Sequence, residues 1–62
     1  MDKFIKIPHF DNPDNYDWVK VDRITCISKT ENKTIVYFDN DSMAVDTYLT
    51  PDDIFDLISQ VS

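Results

Sequence analysis

No glycine occurs anywhere in the 62 residues of this chain. Glycine enters left-handed backbone without steric cost, and tight hairpin turns commonly need that conformation. Here the need falls on Asn and Asp, which tolerate it best among the other residues. Asp39-Asn40-Asp41-Ser42 stands between two apolar runs. Asn40 or Asp41 is therefore expected to supply any left-handed backbone in that turn. The same absence excludes every glycine-rich phosphate loop.

The runs on either side of the turn read as strands. Thr34–Phe38 is apolar on both faces, as expected of a central strand or of one whose second face meets a helix or a partner. Met43–Leu49 alternates, with Met43, Val45, Thr47 and Leu49 on one face and the more polar Ala44, Asp46 and Tyr48 on the other. A helix start follows. Thr50 suits an N-cap, Pro51 the first helical position, and Asp53 the positive end of the helix dipole. Leu49 can pack on Ile54 as a hydrophobic staple. Ile54, Leu57, Ile58 and Val61 form one apolar stripe at helical spacing, with Phe55 on its flank. A helix this short is marginal alone in water, so a sheet is expected beneath it.

Upstream, Lys3–Phe10 is the first expected strand, with Ile5 and Ile7 on one face and Phe4 and Lys6 on the other. Pro8 lacks an amide donor and should end the strand or sit at an edge. Asp11–Asp17 reads as a loop with a turn at Asn12-Pro13-Asp14-Asn15. Its Asp11, Asp14 and Asp17 lack the central Gly and terminal Glu of a calcium loop, so no metal is assigned there. Val19 and Val21 share a face, but Ile24 and Ile27 lie three apart, which breaks the two-residue period. A turn or bulge is expected near Asp22-Arg23, dividing Tyr16–Val21 from Ile24–Thr30. Lys29–Lys33 is a polar hairpin loop.

The length permits one domain, residues 1–62, with a thin stability margin. Cys26 is the single cysteine and His9 the single histidine. An internal disulfide is impossible and a zinc site lacks ligands. Self-association is the remaining common way for so small a domain to gain stability. Met1 through Lys6 has no long apolar core and no run approaches a membrane span, so the expected setting is cytoplasmic. The Asn32 and Asn40 glycosylation patterns are set aside on the same ground. Twelve acidic against six basic residues give a net charge of −6. That argues against direct nucleic-acid binding, which needs clustered Lys and Arg.

Catalytic machinery is not visible. Cys26 has only His9 as a possible base, and no Ser-His-Asp context exists. No catalytic residue, cofactor or metal is assigned, and the chain is read as a non-enzyme. What stands out is aromatic content. Phe10, Tyr16, Trp18, Tyr37 and Tyr48 exceed what so small a core can hold beside its Ile and Val residues. Trp and Tyr gathered on a strand face are the composition of a protein interface. The candidate interface residues are Trp18, Tyr37, Tyr48, Tyr16 and Ile35.

Val21-Asp22-Arg23-Ile24-Thr25-Cys26-Ile27 followed by Thr34–Phe38, Val45 and Thr50–Ile58 resembles the small flagellar accessory proteins of the FlbD (SwrD) type, over Trp18 to Val61. The layout is also similar to short proteins carried by phages and prophages. This chain differs in its glycine-free hairpin turn and its longer acidic first loop. The resemblance implies a bacterial or phage accessory protein with no reaction of its own.

The expected fold is α+β, mainly β: four to five short antiparallel strands as an SH3-like or open-barrel sheet with the C-terminal helix packed on it. The expected core is Ile5, Ile7, Val19, Val21, Ile24, Ile27, Val36, Phe38, Val45, Leu49, Ile54, Leu57, Ile58 and Val61. The expected function is a protein-interaction module that associates with itself or a protein partner. The alternative is an acidic inhibitor that mimics nucleic acid and blocks a basic groove.

Overall fold

The computed structural model describes residues 3–62; Met1 and Asp2, part of the stretch read as lacking a secretory signal, lie outside them. Five strands and one helix follow in order: β1 (Phe4–Pro8), β2 (Tyr16–Lys20), β3 (Ile24–Lys29), β4 (Thr34–Phe38), β5 (Met43–Thr47) and α1 (Pro51–Val61), with a 3-10 turn at Val21–Arg23 between β2 and β3. All strand pairings are antiparallel. The strands form two sheets, β1-β2 and β3-β4-β5, and are not closed into a barrel.

The break between the sheets follows from the slipped apolar period. The 3-10 turn at Val21–Arg23 carries the chain from one sheet to the other. A register shift between Ile24 and Cys26 then lets Ile24 and Ile27 both pack against the core. That shift is a bulge, the device by which one extra residue restores side-chain parity. Backbone bonds tie the pieces together. The Phe10 amide donates to the Asp46 carbonyl at 2.9 Å, and the Asp39 amide to the Arg23 carbonyl at 3.0 Å. β1 stops at Pro8, where the sequence places its missing donor.

The β4–β5 turn meets the glycine problem with both Asn40 and Asp41, and Asp39 joins them. Asp39, Asn40 and Asp41 have φ of 55°, 58° and 68°. Positive φ at Asn40 and Asp41 is the signature of the hairpin-compatible primed turn. Side chains outside the turn hold it. Arg23 Nη1 donates to the Asp39 carboxylate at 2.7 Å, and the Thr25 hydroxyl donates to the Asp41 carboxylate. Asx side chains thus occupy left-handed backbone and are bonded from β3 and its approach.

One core lies between the sheets and the helix. Ile5, Ile7, Val19, Val36, Val45 and Ile54 are buried, and Val21, Ile24, Ile27, Phe38, Leu49, Leu57, Ile58 and Val61 pack around them. Every position expected in the core takes part. Two threonines join them: Thr34 and Thr47, directly opposed on β4 and β5, are 1% and 0% exposed. Met43 points to the same side yet is exposed, because it borders the turn.

The helix begins with a reciprocal cap. The Asp53 amide donates to Thr50 Oγ1 at 3.2 Å, and the Thr50 amide donates to the Asp53 carboxylate at 3.1 Å. Ile54 sits one residue on and is fully buried. Thr50→Ala should therefore lower unfolding free energy by about 1 kcal/mol. Urea denaturation followed by circular dichroism measures it; no shift in midpoint would show that the cap is dispensable.

Candidate interaction surface

Register places the aromatic residues. β1 and β2 pair without interruption, Lys6 opposite Trp18 and Pro8 opposite Tyr16. With Ile5, Ile7 and Val19 turned inward, the opposite parity sends Phe4, Lys6, Tyr16 and Trp18 outward. Tyr16 and Trp18 meet edge-to-face, ring centroids 6.2 Å apart at 90°. The Lys6 ammonium sits 4.1 Å from the Tyr16 ring centroid, a cation–π contact. Trp18 is 61% exposed, the highest value among the large apolar side chains of the described residues. An exposed Trp packed against a Tyr on a strand face is the side-chain composition common at protein interfaces.

The five sequence-derived interface residues fall in three places. Tyr16 and Trp18 touch on β2. Ile35 and Tyr37 lie on the outer face of the three-stranded sheet and are half-buried. There Ile35 opposes Ser28 and Asp46, and Tyr37 opposes Cys26 and Ala44. Nearby, Lys33 donates to the Asp46 carboxylate at 2.7 Å. That hydrogen bond chiefly holds the Lys33 ammonium above its ordinary pKa; desolvation opposes the shift and the Asp46 charge adds to it. Tyr48 follows β5 and is exposed. It borders an open groove of about 590 Å³ between β1 and α1, with Lys6, Pro8, Leu49, Asp53 and Leu57 among its lining.

Phe4 and Phe55, 44% and 56% exposed, were not among the expected interface residues. Their signals were present. Phe4 shares parity with Lys6, and Phe55 lies off the helical stripe.

The candidate chemical groups have other partners. His9 Nε2 pairs with the Asp17 carboxylate at 2.9 Å, bracing the β1–β2 connection. Cys26 is exposed, its sulfur 3.8 Å from the Ser28 hydroxyl. Among the described residues, no group of three or more His, Cys, Asp and Glu is placed to hold a metal ion. No helix of the described residues is long and apolar enough to cross a membrane.

Fold and surface together define a small β-rich domain that presents an aromatic pair on an edge strand. Comparison with known proteins adds no relative: no family model matches the chain, and no curated protein or solved structure matches it significantly.

Proposed function

We propose that this chain is a non-enzymatic interaction module that self-associates by burying the aromatic face of β2. The observation that carries this reading is the Tyr16–Trp18 pair, packed ring to ring with Trp18 61% exposed. Folding alone gives no reason to hold an indole in water. Contact with a second protein surface does, because a rigid aromatic side chain contributes large area at low entropy cost. Among the described residues, six hydrophobic side chains are buried. Association therefore adds apolar burial that the fold lacks.

Light scattering and sedimentation across a concentration series test this. The wild-type protein should exceed monomer mass at high concentration. Tyr16→Ala with Trp18→Ala should weaken association by about 30-fold or more, the effect of removing one hot spot of about 2 kcal/mol. Its circular dichroism should stay unchanged, since both rings are exposed. A wild-type protein that remains strictly monomeric at about 1 mM would overturn the proposal, as the weakest specific complexes have Kd values of that order.

A further inference from the structure

The backbone of β2 says how the second copy would dock. The Val21 amide bonds the Lys3 carbonyl and the His9 amide bonds the Asn15 carbonyl, each at 2.9 Å. These two bonds set the parity of the ladder. Odd-numbered residues of β2 exchange hydrogen bonds with β1, and Tyr16 and Trp18 turn N–H and C=O the other way. Among the described residues, no other strand pairs with that side of β2. Tyr16, Asp17 and Trp18 are all exposed, although they lie within a strand.

The other edges carry protections, beginning with β1, which stops at Pro8 and its missing amide donor. β5 receives the Phe10 amide at Asp46. β3 is interrupted by its bulge, a common protection of an edge strand. Among the described residues, β2 has neither a bulge nor a covering segment along Tyr16 to Trp18.

Resting on the self-association proposed above, we infer that a second copy of the chain pairs antiparallel with the free edge of β2, with Trp18 on the two-fold axis. In that register the two Trp18 residues exchange both backbone hydrogen bonds. The edge-to-face pair of one copy continues into that of the other, forming one aromatic strip across the axis. Asp17 then lies opposite Val19 of the second copy. Moving the axis one residue, to Asp17, would set two carboxylates against each other, which destabilises a cross-strand pair. Charge thus selects between neighbouring registers.

A five-residue edge is small beside the roughly 1,200–2,000 Å² of a stable interface, so the dimer is weak, with a Kd of about 0.1 mM. Each copy carries −6. Screening that repulsion makes association tighten, not loosen, as salt rises.

Amide hydrogen exchange, read by NMR along a concentration series of the full chain, tests the docking mode. The Asp17 and Val19 amides face β1 and should be protected at every concentration. The Trp18 amide should exchange freely in dilute protein and slow by about tenfold or more where the dimer dominates. If the chain associates while the Trp18 amide stays unprotected, the edge pairing is wrong and the interaction module stands. If no association occurs at any concentration or salt, both fall.

Discussion

Ile54→Ala should lower the unfolding free energy by about 2–5 kcal/mol, a large share of what a domain of this size holds. Ile54 is 0% exposed and is the one helical side chain fully inside the core. Truncating a buried Ile to Ala costs about 2–5 kcal/mol, from lost transfer energy and the cavity left behind. Domains carry about 0.05–0.15 kcal/mol of stability per residue, which leaves a chain of this length roughly 3–9 kcal/mol in all. The substitution consumes a large share of that, and the loss falls on a helix that cannot persist without the sheet. Phe55→Ala is the control. Phenylalanine is the larger side chain, yet Phe55 is 56% exposed. Its removal should cost within about 0.5 kcal/mol, as for surface substitutions generally. Urea titrations by far-ultraviolet circular dichroism compare the two. Equal midpoints would mean that α1 is not seated on the core through Ile54.

Periodicity was a sound guide here because the elements are short and regular. Ile5 and Ile7, Val36 and Phe38, and the helical stripe from Ile54 each lie one or two periods apart, so local spacing specifies which side faces inward. Slippage at Ile24 and Ile27 also announced the break, and the chain resolves it with both a 3-10 turn and a bulge. The failures of local spacing are of another kind. Tyr16 and Trp18 are readable as neighbours on one face, but their contact with Lys6 needs the β1–β2 register. That register depends on where residues 9–15 turn. Ile35 and Tyr37 have the same outward parity, yet belong to the other sheet. Nothing in a two-residue period says whether two outward faces are one surface. The turn exceeded expectation for a similar reason. Local sequence offered Asn40 or Asp41 for any left-handed backbone, while Asp39 joins them and the turn is held by Arg23 and Thr25 from distant positions.

Thr34 and Thr47 supply the second prediction, because two identical residues in one strand pair should respond with opposite sign. They oppose each other across β4 and β5, and both are buried. Thr47 Oγ1 accepts a hydrogen bond from the Leu49 amide at 3.3 Å, which helps turn the chain from β5 toward the helix cap. Among the described residues, Thr34 Oγ1 is buried without a hydrogen-bond partner. Valine matches the shape of threonine but replaces the hydroxyl with a methyl. At Thr34 this removes an unmet polar group, so Thr34→Val should stabilise the domain by about 1–2 kcal/mol. For a domain of this size, that raises Tm by about 4–15 °C. At Thr47 the same change strands the Leu49 amide beside a methyl and should destabilise by about 1–2 kcal/mol. Both variants keep β-branching and strand propensity, so neither effect can be assigned to the backbone. Thermal unfolding of the two single variants reads the difference directly. If both shift Tm in the same direction, the Thr34 hydroxyl has a partner in solution, and the β4–β5 packing is more polar than its buried faces indicate.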